Sequence, residues 1–144
     1  MWLEIDGRTR GLTWSAAHII PGHPKCGRLH GHDYILNIRL YFNDDDSLKK
    51  IGYKVDYGDV KKVAKSIIER MDHHFMVPDN AKEDNGVVYY NNVSVGIDQV
   101  CKLPLTVVSS ENLAIYIKSE LKKHFNDYDI ECGVFEGEGQ GAWA

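Results

Sequence analysis

The stretch "CGRLHGHDYILNIRLYF", residues 26–42, joins a thiol and two histidines to a run in which Tyr34, Leu36, Ile38, Leu40 and Phe42 alternate with Asp33, Asn37 and Arg39. A period of two marks a strand with one covered face and one open face. Residues 32–42 are therefore expected to form a half-buried strand. Where that strand begins, His30 and His32 lie two positions apart, so both imidazoles project from the same side.

Working outward, Leu12 to Ile20 is largely apolar and stops at Pro21-Gly22, which reads as a second strand closed by a turn. His18 stands near its end, and antiparallel pairing across the turn at 21–29 would bring it beside His30 and His32. Three imidazoles leave a tetrahedral zinc ion with one open position, the pattern of a catalytic rather than a closed structural site. Nitrogen donors favour zinc over magnesium or calcium, while iron and copper also accept imidazole. A lone histidine is more often a surface or satisfied core residue; three gathered about one turn reverse that reading. A structural site with Cys26 as a fourth ligand is the alternative that spacing leaves open.

Val60, Val63, Ala64, Ile67, Ile68 and Met71 recur at helical spacing behind Asp56 and Asp59, either of which can cap, so a helix is expected over about 58–71. "SSEN" from Ser109 starts a second, with Ser109 or Ser110 as cap and Leu113, Ala114, Ile117, Leu121 and Phe125 on its apolar side. Between them, "VVYYNNVSV" places two β-prone runs about Asn91-Asn92 and reads as a hairpin. A last strand alternates through Ile130, Cys132, Val134 and Glu136. "NDDDS" at 43–47 reads as a solvated turn. Antiparallel strands with two helices on one side make an α+β domain.

At 144 residues the chain has room for one domain with a core. A formal charge of −4 with dispersed basic residues argues against a nucleic-acid partner. No window approaches the roughly 20 apolar residues of a membrane span, so no membrane partner and a cytoplasmic location are expected. Cys26, Cys101 and Cys132 are an odd number at wide spacing, which suits a reducing compartment better than a disulfide framework.

"SAAHII", "CGRLHGHDY", "VDYGDVKK", "MDHHF", "SSENLA" and "VFEGEGQGA" resemble, in that order, the motifs of the 6-pyruvoyl-tetrahydropterin synthase and 6-carboxy-tetrahydropterin synthase family. The likeness spans the chain apart from about 76–106, where a β-hairpin insertion into a single domain of residues 1–144 is expected. The resemblance implies a T-fold whose subunits close their sheets into a β-barrel, as a homo-oligomer in which two trimers stack into a hexamer, with active sites between subunits. It implies that His18, His30 and His32 hold Zn2+. It makes Cys26 the catalytic base, Asp72 and His73 a catalytic pair, Glu136 the anchor of the pterin ring, and Ser109, Ser110 and Glu111 part of the pocket wall. Unaided, His73 and His74 read equally well as cations favoured at a helix C-terminus, and Glu136 as a solvated strand end.

The implied substrate is a small-molecule pterin triphosphate, 7,8-dihydroneopterin triphosphate. The motifs look closer to the 6-carboxy enzymes of the 7-deazaguanine route, which release acetaldehyde and triphosphate. A 6-pyruvoyl synthase, which only expels triphosphate, is the alternative, and a non-catalytic zinc or pterin-binding module is another. Cys26 argues against a third subgroup of aldolases that carry glutamate there. Gly137 departs from the threonine usual after the anchoring glutamate. Lys25, Arg28 and Lys54 are candidates for phosphate contact.

Overall fold

The alternating run becomes the longest strand of the chain, and the remaining elements assemble around it in a computed structural model that describes residues 1–144. In chain order the elements are β1 (Trp2–Ile5), α1 (Gly7–Arg10), β2 (Thr13–His18), β3 (His30–Tyr41), α2 (Asp46–Ile51) and α3 (Tyr57–Ile68). They continue with β4 (Phe75–Pro78), β5 (Lys82–Asp84), β6 (Val87–Tyr90), β7 (Val93–Gly96), β8 (Val100–Leu103), α4 (Ser110–Lys122), β9 (Asp129–Glu136) and β10 (Gly141–Trp143).

The main sheet runs β10-β9-β3-β2-β4-β8, with β1 also paired to β3. Strand β3 is antiparallel to β1, β2 and β9. At one edge β4 is parallel to both β2 and β8, an addition to the antiparallel sheet that the sequence reading did not contain. Strand β4 is buried throughout and β8 sets the exposed Lys102 among apolar residues, so at four residues each neither carries an alternation to read.

Tyr34, Leu36, Ile38 and Leu40 are fully buried on the face of β3 that the two long helices cover. Opposite them lie Val60, Ala64, Ile67 and Ile68 of α3 and Leu113, Ala114, Ile117 and Leu121 of α4, with Ile130, Cys132 and Val134 of β9 completing the core. Each such aliphatic side chain contributes about 1.5–3 kcal/mol on burial. Asp56 caps α3 by accepting from the Gly58 amide at 2.6 Å, and Ser109 caps α4 through the Asn112 amide at 3.3 Å.

The acidic run at 43–47 is not only a turn: Asp45 caps the short α2 through the Leu48 amide. Lys54 donates to Asp45 Oδ2 at 2.5 Å and to Ser47 Oγ at 2.8 Å. Lys54 is thereby tied to this cap.

Strands β5, β6 and β7 form a separate three-stranded antiparallel sheet, with Asn91 (φ 46°) and Asn92 (φ 65°) making the turn between Tyr90 and Val93. It packs on the main sheet through a second apolar cluster of Ile19, Phe75, Val77 and Val88. No helix is long and apolar enough to cross a membrane.

Candidate metal centre and its surroundings

The histidines are gathered by the β2–β3 ladder. His18 pairs with His30 and Ala16 with His32, so all three imidazoles stand at one end of the core face, as the even-numbered positions of both strands require. One ligand atom from each of His18, His30 and His32 lies within 4.8 Å of the other two. Gly31, between the two histidines of β3, makes this approach possible: a Cβ there would sit 2.8 Å from the Ala16 carbonyl oxygen.

Each ring is oriented from behind. His18 Nδ1 donates to the Val108 carbonyl at 2.7 Å and His30 Nδ1 donates to the Arg28 carbonyl at 2.7 Å. A carbonyl only accepts, so both rings carry their proton on Nδ1 and present an Nε2 lone pair. This second layer of contacts is how metal-binding histidines are ordinarily held. His18 Nε2 faces His32 Nε2 at 3.1 Å, and the buried Nε2 of His30 has no hydrogen-bond partner. The buried, unpaired Nε2 of His30 would cost about 1–3 kcal/mol without a cation or another donor to meet it. The donor set therefore fits a divalent metal with affinity for imidazole. Burial depresses the His18 pKa, only partly offset by the hydrogen bond to Val108 and the nearby Glu136 carboxylate. That keeps His18 in the neutral form a metal requires.

Glu136 closes the far side, its oxygens 3.8 Å from His18 Nε2 and 3.7 Å from His32 Nε2. The strand end read as solvated in isolation thus stands against the imidazoles. Tyr34, fully buried, sets its ring at 5.9 Å from His18 and 5.5 Å from His32, and it stacks on Trp14 at 4.9 Å. After Glu136, Gly137 takes φ 81° and donates its amide to the Asp33 carbonyl at 3.0 Å. A β-branched residue such as threonine would be strained at that φ.

Asp72 and His73 form a pair, with His73 Nδ1 3.0 Å from Asp72 Oδ1. The same carboxylate oxygen accepts the Ser15 amide at 2.9 Å, and the His73 amide donates to the Ser15 carbonyl at 2.7 Å. These bonds hold His73 at φ 59°. Burial pushes the Asp72 carboxyl up, but the Ser15 amide and the His73 imidazole outweigh it and hold it below the ordinary range. His74 turns back to donate to the Asp72 carbonyl at 2.7 Å. A surface depression beside the metal group is lined by His32 and His73 together, with Ser15, Asp33, Leu29 and Val95.

Cys26 is half-buried in the 19–29 loop and is not a member of the histidine group. Ser109 and Ser110 are half-buried at the start of α4, immediately after the Val108 carbonyl that orients His18, and Glu111 is exposed. Residue types do not reveal backbone acceptors, so Val108 and Arg28 carry no sequence signal. Ser15 and Asp33, whose side chains bond at 2.5 Å, look in sequence like ordinary open-face strand residues.

Residues 9–144 match the family described as 6-pyruvoyl tetrahydropterin synthase. A Methanocaldococcus jannaschii protein, provisionally named a 6-carboxy-5,6,7,8-tetrahydropterin synthase, is 32% identical, with 99% of this chain and 94% of that protein covered. The 6-carboxy-5,6,7,8-tetrahydropterin synthase of Rickettsia typhi is 35% identical over 78% of each chain. Among solved structures, the 6-pyruvoyltetrahydropterin synthase of Plasmodium vivax superimposes with a TM-score of 0.83 at 23% identity, covering 100% of this chain and 96% of that one. At that identity the likeness is one of fold, and the fold is the T-fold.

Proposed function

Because the chain belongs to the 6-pyruvoyl tetrahydropterin synthase family, we propose that it is a zinc-dependent 6-carboxy-5,6,7,8-tetrahydropterin synthase. Its substrate is 7,8-dihydroneopterin triphosphate, and acetaldehyde and triphosphate are released. The names of the relatives that cover most of the chain support this choice over the 6-pyruvoyl reaction. The observation that carries it is the convergence of three imidazoles, two of them oriented by carbonyls, on one point beside a carboxylate.

His18, His30 and His32 hold the ion. Bound there, zinc supplies Lewis acidity, polarising a side-chain oxygen of the substrate and making the adjoining C–H more acidic. Cys26 removes that proton, as its thiolate is the basic form. His73 donates from Nδ1 to Asp72, which fixes the tautomer and leaves the Nε2 lone pair to take up and pass on a second proton. Glu136 accepts two parallel hydrogen bonds from the ring N–H and amino group of the pterin, which seats the substrate tail towards the imidazoles 3.7–3.8 Å away. Ser109, Ser110 and Glu111 line the pocket and, through Val108, steady His18.

The open face of the main sheet carries Arg39, Tyr41, Phe135 and Trp143, with the Arg39 guanidinium 4.3 Å above the Trp143 ring. Copies of the chain cover this face by closing a barrel, as trimers stacked into a hexamer. Sedimentation as a monomer would remove that part of the proposal. The activity is tested by incubating zinc-loaded protein with dihydroneopterin triphosphate. Acetaldehyde in step with a 6-carboxy product is expected; a 6-pyruvoyl product without acetaldehyde would overturn the choice of reaction.

A further inference from the structure

Beyond Val95, which lines the depression beside the metal group, the small β5-β6-β7 sheet reaches the loop that carries Cys26 through a side chain of its second turn. Asn91, the first residue of the turn between β6 and β7, donates from Nδ2 to the Gly27 carbonyl at 2.8 Å across 64 positions of sequence. That carbonyl is the middle one of three held in succession. Cys26 offers its carbonyl to the Ile20 amide at 2.7 Å, and Arg28 offers its own to His30 Nδ1 at 2.7 Å. The Cys26 amide itself donates to His23 Nδ1 at 2.9 Å. The first and third clamps are local to the loop and its flanking strands. The second is supplied by a distant element.

The donor is presented from a firm platform. Val88 is fully buried with Ile19, Phe75 and Val77, while Tyr90, Val93 and Val95 pack on the same cluster. The turn carrying Asn91 is therefore continuous with the main sheet at the residue after His18. Fixing the Gly27 peptide fixes the two peptides beside it, one belonging to Cys26 and the other orienting a metal-binding ring. Groups that act on a reacting atom must be held to about 0.5 Å, and an outer contact of this kind tunes the ligand it supports.

We propose that Asn91 is a positioning residue: it clamps the Cys26–Arg28 segment and so sets the Cys26 thiol against the His18, His30 and His32 group. This rests on the reading of Cys26 as the base. The small sheet thereby acquires a task in the active site of its own chain.

The test uses Asn91→Asp, which keeps size and tolerance of positive φ but sets acceptor oxygens against the Gly27 carbonyl, and Asn91→Gly, which keeps the turn without the donor. Asn92→Gly, at the neighbouring turn position, is the control. Alkylation of Cys26 by iodoacetamide is followed by peptide mass spectrometry on the metal-loaded protein, alongside kcat, KM and the unfolding midpoint. Both Asn91 variants are expected to change the Cys26 alkylation rate by about three- to tenfold, the scale of one hydrogen bond. They should lower kcat by at least as much at a KM within about twofold, while Asn92→Gly matches the parent. Alkylation and kcat unchanged in both Asn91 variants would overturn the proposal. A fully active Cys26→Ala would instead overturn the catalytic reading of Cys26, with the alkylation rates still deciding whether Asn91 braces the loop.

Discussion

Replacing Gly31 by alanine tests whether the β2–β3 approach is what gathers the imidazoles. The added Cβ would lie 2.8 Å from the Ala16 carbonyl oxygen and 3.4 Å from Ala17 Cα. Both neighbours are backbone and cannot rotate away, so the strands must part by a few tenths of an ångström. Overpacking of this kind costs about 1–3 kcal/mol. The parting falls between the pairs Ala16–His32 and His18–His30, so it moves all three ligands. Metal–ligand distances tolerate about 0.2 Å, and disturbances of this supporting layer weaken binding by about 10- to 100-fold. Urea unfolding of chelated protein reads the first effect, and competition with a chromogenic chelator reads the second. A variant within about 0.5 kcal/mol of the parent and with undiminished zinc affinity would refute the reasoning. Lost stability with undiminished affinity would show that strand register is not what aligns the rings.

Cys26→Ala is expected to retain zinc, because Cys26 lies outside the histidine group, and to lose turnover by about 10²- to 10⁴-fold, the usual contribution of a general base; metal analysis with steady-state kinetics checks both. Removing the metal with a chelator should lower the unfolding free energy by about 2.7 kcal/mol relative to protein held at a hundredfold excess over Kd, measured from denaturant midpoints at several zinc concentrations. Burial pushes the Cys132 thiol from its ordinary 9.0 up to about 12. The unfolded chain therefore ionises first, and stability that is full below about pH 9 declines by about 1.4 kcal/mol per pH unit as pH rises towards the folded value. Cys132→Ala should flatten that decline between about pH 9 and 10, where most unperturbed tyrosines are still protonated; an alkaline limb identical to the parent's would refute the assignment.

Elements with their own period were legible in the chain. Alternation through Tyr34 and Leu40 announced β3, and the helical spacing of Val60 to Ile68 and Leu113 to Leu121 announced α3 and α4 with their caps. Asn91-Asn92 marked a turn because asparagine tolerates the positive φ found there. Short strands did not announce themselves: β4 and β8 have four residues each, too few to show a period, and their parallel partners lie far off in sequence. Helix α2 was hidden because Asp45 serves as well in a solvated turn as in a cap.

The residue types at the metal centre and their spacing about one turn were properties of the sequence, since two histidines two apart on a strand must share a face whatever the rest of the molecule does. Their union with Glu136 required tertiary structure: β9 lies beside β3 only because both bury their apolar faces under the same helices. The orientation of each ring was likewise decided by folding, because the acceptors that select its tautomer are backbone carbonyls at Val108 and Arg28, and any residue type supplies a carbonyl.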